Sequence, residues 1–150
     1  MAIYAGRYLR MALASVKKIS IPCRFPNNPI VFYLKTKMQL VGMLDSPYVR
    51  RTAISMRLLG VPFEHRSISV FSTFEQFRAI NPVVKAPTLV CDDGSVLMDS
   101  TLIIDYAQAL SGRSLLSPDP ARRLRELRLT GLALAACEKT VQIVYERQLR

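Results

Sequence analysis

The stretch of sequence that decides the fold is Leu44-Asp45-Ser46-Pro47-Tyr48-Val49-Arg50-Arg51, which follows a short apolar run and opens a helix. A hydroxyl residue directly before a proline is typical of a helix start, with Ser46 as the N-cap and Pro47 at the first helical position. The first backbone N–H groups of a helix lack partners, and the helix dipole favours negative charge there. Ser46 can therefore cap the helix, or it can hold a bound anion such as a thiolate.

Strands and helices alternate around this stretch. The apolar run 38–43 predicts a buried strand, and the helix that Ser46 opens is expected to end at Gly60. Its inner face is expected to carry Val49, Ala53, Met56 and Leu59. A second strand is predicted over 63–68, followed by a short helix that begins with the capping-box pattern Ser72-Thr73-Phe74-Glu75.

A β-hairpin and a third helix come next. The apolar runs 87–91 and 95–98 are separated by Asp92-Asp93-Gly94, which is a typical turn. Ser100 is expected to cap the following helix, which ends at Gly112. The inner face of this helix is expected to hold Leu102, Ile103, Tyr106 and Leu110. The order of elements predicts an α/β layer with parallel strands joined by helices and a terminal antiparallel hairpin.

A further helix is predicted after the linker 114–118, from Asp119-Pro120 toward Arg150. Its apolar residues at roughly helical intervals are Leu124, Leu127, Leu134 and Val141. The arginines in its first turns, which indicate a solvated face rather than an anion site, are Arg122, Arg123, Arg125 and Arg128. One helix cannot bury an apolar stripe alone, so residues 119–150 are expected to be the start of a truncated, all-helical C-terminal domain.

The net charge of +10 is distributed unevenly along the chain. Residues 1–37 contain seven Lys or Arg and no acidic residue, whereas residues 38–150 have a balance of only +3. A basic groove for nucleic acid is therefore not supported. We expect residues 1–37 to be a basic extension outside the fold; a targeting or binding tail is the alternative.

The cysteines and the histidine argue against a metal site. Cys23, Cys91 and Cys137 are far apart and match neither a metal-ligand spacing nor a disulfide framework, and His65 is the only histidine. Three lone thiols are typical of a reducing compartment, so we expect a cytoplasmic protein. No uncharged apolar run approaches the roughly 18 residues of a membrane helix, so no membrane partner is expected.

Four motifs, taken in order, resemble the cytosolic glutathione transferases, particularly the bacterial members with a serine at the thiol site. They are Ser46-Pro47-Tyr48-Val49-Arg50, Leu59-Gly60-Val61-Pro62-Phe63-Glu64, Asn81-Pro82-Val83-Val84-Lys85-Ala86-Pro87-Thr88-Leu89 and Met98-Asp99-Ser100. The resemblance covers about residues 38–146. It implies a thioredoxin-like, glutathione-binding domain over 38–113, followed by the first helix of an all-α domain. It also implies glutathione as co-substrate, a small electrophile as acceptor and a homodimer for the full-length protein.

The resemblance implies roles for six residues. Ser46 would donate a hydrogen bond to the glutathione sulfur, and Ala86-Pro87 would match the segment at a cis-proline whose backbone pairs with the cysteinyl part. Asp99-Ser100 would hold the γ-glutamyl group, and Lys85 would approach the glycyl carboxylate. The alternatives are a plain helix cap for Ser46 and for Ser100, a turn residue for Asp99, a solvated side chain for Lys85 and a trans peptide bond before Pro87.

The first turn of the helix after strand one contains no cysteine, so disulfide exchange through a protein thiol is not expected there. The sulfur nucleophile would have to come from a bound ligand. Two functions stay open at this point. One is a glutathione transferase that activates the thiol. The other is a non-catalytic, transferase-like binding or interaction module, and in this case the chain could be a truncated product.

Overall fold

The structure, a computed structural model, describes residues 37–149. The predicted extension therefore lies outside the described residues, except for Lys37. The elements are β1 (Gln39–Val41), α1 (Pro47–Leu59), β2 (Glu64–Arg66), α2 (Phe74–Ile80), β3 (Thr88–Val90), β4 (Val96–Met98), α3 (Ser100–Ser111) and α4 (Pro120–Leu149). Their order is the predicted one, although each strand is only three residues long.

The four strands form one mixed sheet in the order β2-β1-β3-β4. β1 is parallel to β2, whereas the pairs β1–β3 and β3–β4 are antiparallel. The crossover helix α1 joins the parallel pair, and the terminal hairpin supplies the antiparallel edge. This is the α/β arrangement that the order of elements predicts, and it agrees with the thioredoxin-like domain and following helical region that the resemblance implies.

Helices cover both faces of the sheet. Neighbouring residues of a strand point to opposite faces, so each strand can contribute side chains to both sides. On one face, α1 and α3 pack over the sheet through a cluster that contains Met56, Leu59, Val61, Leu89, Ile103 and Ala107. On the other face, α2 contributes Phe77, which packs with Val41 and Ile68. The two clusters hold β1 and β3 between helices, and the ends of these strands carry the candidate site.

The start of α1 and the ends of α1 and α3 are the predicted ones. Ser46 is the N-cap of α1 and Pro47 its first residue, while Gly60 ends the helix with φ of 74°. Gly112 ends α3 with φ of 63°. Both glycines adopt the left-handed conformation, which costs a residue with a side chain more than it costs glycine.

The predicted caps of α2 and α3 are wrong, although both helices begin within one residue of the predicted position. Thr73 is the residue before α2 and makes no capping bond, because its hydroxyl bonds instead to the N–H and C=O of Ser69. The N-cap of α3 is Asp99, whose carboxylate accepts the N–H of Thr101 at 2.9 Å. Ser100 is therefore the first residue of the helix, and its hydroxyl is left for other partners.

One predicted apolar face differs from the structure in part, and another agrees with it. Leu102 is 56% exposed, although the adjacent Ile103 is fully buried, so Leu102 was wrongly assigned to the inner face of α3. On α4, Leu124 is 69% and Leu127 48% exposed. A long helix with an uncovered stripe is what the sequence predicts for the beginning of a second domain. Among the described residues, no helix is long and apolar enough to cross a membrane.

Candidate functional site

Two adjoining cavities lie where the start of α1, the loop before β3, the start of α3 and the face of α4 meet. The first, here called the Ser46 cavity, has a volume of about 550 Å³ and is lined by Ser46, Tyr48, Phe71, Lys85, Ala86 and Glu138, among others. The second, called the Asp99 cavity, has a volume of about 390 Å³ and includes Ala86, Pro87, Asp99, Ser100 and Glu138 in its lining. Tyr48, Lys85, Ala86 and Glu138 line both cavities.

Ser46 lines the first cavity and follows a tight turn after β1. Gly42 in this turn has φ of 140°, and a Cβ placed on it would lie 2.7 Å from a side-chain carbon of Val49. The Ser46 hydroxyl accepts the N–H of Val49 at 3.5 Å, which is long for a hydrogen bond. Ser46 therefore offers a weakly engaged hydroxyl at the positive end of the α1 dipole.

The loop before β3 carries the segment shared by the two cavities. The peptide bond between Ala86 and Pro87 is cis, as the resemblance implies. The buried Thr88 donates its hydroxyl proton to the carbonyl of Lys85 at 2.7 Å and accepts a hydrogen bond from Asn81 at 2.8 Å. In the sequence, Asn81 is only the first residue of the third motif. The structure shows that it holds the loop in place.

The start of α3 forms the far end of the Asp99 cavity. Asp99 has φ of 77° and accepts a hydrogen bond from Lys85 Nζ at 3.3 Å. Burial alone would raise the pKa of the Asp99 carboxyl, but the Thr101 N–H and the ammonium of Lys85 outweigh it and hold this pKa below its usual value. The end of the cavity thus combines a carboxylate, an ammonium and the N-terminus of a helix.

Arg51 is a residue of this corner that sequence reasoning missed. Its guanidinium donates hydrogen bonds to the hydroxyls of Ser100 at 2.9 Å and Thr101 at 3.1 Å. Ser100 is buried, so the guanidinium ties α1 to the start of α3 and adds positive charge near the cavity. A basic residue on an amphipathic helix indicates only a solvated position, and nothing in the sequence links Arg51 to a residue 49 positions away.

A second contact that the sequence does not reveal joins α1 to α4. The Tyr48 hydroxyl donates to a carboxylate oxygen of Glu138 at 2.9 Å, across 90 residues of sequence. Burial and this hydrogen-bonded carboxylate raise the pKa of Tyr48 to about 12. The pair stands at the boundary between the two cavities, so α4 forms one wall of both.

The six predicted site residues therefore surround one continuous region. Ser46 lines the first cavity, Pro87, Asp99 and Ser100 line the second, and Lys85 and Ala86 line both. Within residues 37–149 no cluster of His, Cys, Asp and Glu is suited to hold a metal ion. The region contains the N-termini of α1 and α3, each with a hydroxyl group that can donate a hydrogen bond. Lys85 and Asp99 supply a positive and a negative charge. This arrangement suits a zwitterionic peptide with more than one carboxylate.

Residues 40–114, half of the chain, match the glutathione S-transferase N-terminal domain. The chain belongs to the glutathione S-transferase family. Among curated relatives, the uncharacterized GST-like protein YibF of Escherichia coli is 31% identical over 97 residues, which cover 64% of this chain and 48% of that protein. A maleylacetoacetate isomerase of Pseudomonas aeruginosa is 31% identical over 107 residues, covering 67% and 50%.

Solved structures of glutathione S-transferases share the fold. A glutathione S-transferase of Methylobacterium radiotolerans, in complex with glutathione sulfonate, aligns with a TM-score of 0.67 and 28% identity over 75% of this chain and 54% of that one. The tau-class enzyme of mango aligns with a TM-score of 0.51 and 28% identity, covering 59% and 41%. The chain spans about half the length of the curated relatives it matches.

Proposed function

We propose that the chain binds glutathione across the two cavities and activates its thiol for attack on a small electrophile. One observation supports this proposal more than any other. The weakly engaged hydroxyl of Ser46 and the polar corner at Asp99 and Ser100 lie in adjoining cavities that share Lys85 and Ala86. An extended tripeptide can therefore reach from one to the other.

In this proposal the γ-glutamyl group occupies the Asp99 cavity. Its carboxylate is held by the Ser100 hydroxyl and the N-terminus of α3, with the guanidinium of Arg51 behind them. Its ammonium faces the carboxylate of Asp99. Lys85 lines both cavities, so its ammonium would attract the glycyl carboxylate in exchange for its ion pair with Asp99.

The cysteinyl part follows the backbone of Ala86 and Pro87 and places its sulfur at Ser46. A thiolate is the nucleophile, and a helix N-terminus together with a hydroxyl donor favours the thiolate over the thiol. The sulfur then forms a bond to an electrophilic carbon, and either a leaving group departs with the bonding electrons or the resulting carbanion takes up a proton. The acceptor would occupy the Ser46 cavity against Val141, Val144 and Tyr145 of α4.

The same proposal extends to the organisation of the protein. We assign residues 38–113 to the glutathione-binding domain and residues 119–150 to the beginning of a helical domain that forms the acceptor wall. We also propose a cytoplasmic location, as the lone thiols led us to expect, and a homodimer for the full-length protein, as the resemblance implies.

Calorimetric titration of the full chain with glutathione tests the proposal. We expect saturable binding at one site per chain. Ser100→Ala should weaken binding about tenfold or more, since a hydrogen bond to a charged group contributes about 1.5–3 kcal/mol. Ser95→Ala is the matched control, because Ser95 lies in the hairpin turn and lines neither cavity. An absence of binding, or equal losses in both variants, would contradict the proposal.

A second candidate function is a non-catalytic interaction module. The observation that favours it is the exposed apolar surface of α4, where Leu129 is 67% and Leu132 62% exposed. This function predicts a chain that forms a defined complex or dimer but does not bind glutathione, and the same titration separates the two candidates.

A further inference from the structure

The charges that line the Ser46 cavity are unbalanced. Its charged lining residues are Asp45, Lys85 and Glu138. Lys85, the single cation among them, is already paired with Asp99 at 3.3 Å. Even with the ammonium of Lys85 counted in full, the two carboxylates of Asp45 and Glu138 leave the lining of the Ser46 cavity with a net negative charge.

Glu138 is held in position at the boundary of the cavities. Its Oε2 accepts the hydroxyl proton of Tyr48 at 2.9 Å, and its Oε1 faces the amide nitrogen of Gln142 at 3.4 Å. Tyr48 is itself anchored in the first turn of α1, where its carbonyl accepts the hydroxyl proton of the buried Thr52 at 3.0 Å. The carboxylate of Glu138, although exposed, is therefore held by two side chains in the lining of the cavity that Ser46 also lines.

The rest of the cavity wall is largely apolar. Phe71 and Tyr145 meet edge to face with ring centroids 5.1 Å apart, and Met43, Val141 and Val144 add aliphatic surface. An electrophile that enters this space meets apolar side chains, a fixed carboxylate and, in the proposed function, a thiolate. A negative charge on the electrophile would be repelled by the carboxylate of Glu138 and by the thiolate.

We propose that Glu138, positioned by Tyr48, selects against acceptors that carry a negative charge. This inference rests on the proposed function, because it needs glutathione to place its sulfur at Ser46. Glu138 acts here as a specificity-determining residue and takes no part in bond formation.

Two conjugates of glutathione test this selection by calorimetry on the full chain. S-benzylglutathione and S-(4-carboxybenzyl)glutathione share the tripeptide and differ by one carboxylate in the acceptor position. We expect the benzyl conjugate to bind more tightly. The variant Glu138→Gln keeps an oxygen that can accept the Tyr48 hydroxyl proton but removes the negative charge. In this variant the preference for the benzyl conjugate should shrink by about fivefold. This is the factor expected for two unit charges about 4 Å apart in a water-like dielectric.

Glu146→Gln is the matched control, since Glu146 lies eight residues further along α4, about 12 Å away, and lines neither cavity. The control should keep the wild-type preference. Raising the salt concentration should reduce the preference of the wild-type chain, and this measurement does not depend on the folding of a variant.

The possible results separate the inference from the proposed function. If glutathione itself does not bind, the proposed function fails and the selection fails with it. If glutathione and both conjugates bind but wild type shows no preference, only the selection is overturned. An equal change in Glu138→Gln and Glu146→Gln would also overturn it, because the preference would then reflect the overall charge of the chain.

Discussion

Substitutions of Ser46 separate the two roles that its position allows, helix capping and stabilisation of a thiolate. Ser46→Ala removes both the cap and the hydroxyl donor. Ser46→Asp keeps a strong N-cap residue, but its ionised carboxylate accepts hydrogen bonds and donates none. Ser46→Thr keeps both the cap and the donor, so it serves as the matched control.

The structure indicates which role is the larger one. The Ser46 hydroxyl lies 3.5 Å from the N–H of Val49, longer than the about 2.7–3.2 Å of ordinary N–H···O bonds. Loss of this cap in Ser46→Ala should lower the free energy of unfolding by only about 0.5 kcal/mol, the low end for N-caps. A hydrogen bond to a thiolate contributes about 1.5–3 kcal/mol, which corresponds to about one to two units in the pKa of the glutathione thiol.

A pH titration of thiolate absorbance measures that pKa for glutathione bound to each variant, and urea unfolding measures the cap. We expect the bound thiol to titrate about one to two units below free glutathione in wild type and Ser46→Thr. In Ser46→Ala and Ser46→Asp it should titrate near or above the free value. The reasoning is refuted if both variants keep the low pKa. If Ser46→Asp keeps it and Ser46→Ala does not, the helix cap is responsible and the hydroxyl donor is not.

Three further outcomes follow from the packing and the ionisation of single residues. Gly42→Ala places a Cβ 2.7 Å from Val49, so thermal unfolding should show a loss of about 1–3 kcal/mol; an unchanged melting temperature contradicts the tight turn. Burial raises the pKa of Tyr48 from 10.0 to about 12, so between these pH values the unfolded chain loses a proton that the folded chain keeps. The free energy of unfolding should therefore fall over this range, and Tyr48→Phe should make the fall smaller; an equal fall in both proteins argues against a perturbed tyrosine. Asn81→Ala leaves the buried hydroxyl of Thr88 without its donor, which should cost about 1–3 kcal/mol in urea unfolding; a neutral effect would show that the loop before β3 does not depend on this bond.

Much of the fold could be predicted from local patterns. The Ser46-Pro47 pair and the glycines at 60 and 112 marked the observed helix ends, because caps and left-handed residues act within one turn of the chain. Where two capping residues stand side by side, the pattern is ambiguous. Asp99 rather than Ser100 proved to be the cap of α3, and only the backbone conformation of Asp99 decides between them.

The candidate site was predictable only in part. Its six residues were named from motifs of a resembling family, and the structure places them around adjoining cavities. The contacts of Arg51 and the pair of Tyr48 and Glu138 were missed, since they join residues 49 to 90 positions apart. Contacts over such distances depend on how helices pack in three dimensions and leave no periodic signal in the sequence.

The most direct test of thiol activation is a crystal structure of the chain with glutathione. We expect the sulfur to lie within hydrogen-bonding distance of the Ser46 hydroxyl and to face the first N–H groups of α1, with the γ-glutamyl carboxylate at Ser100. A sulfur that points away from Ser46, or a tripeptide bound outside both cavities, would contradict the proposed chemistry.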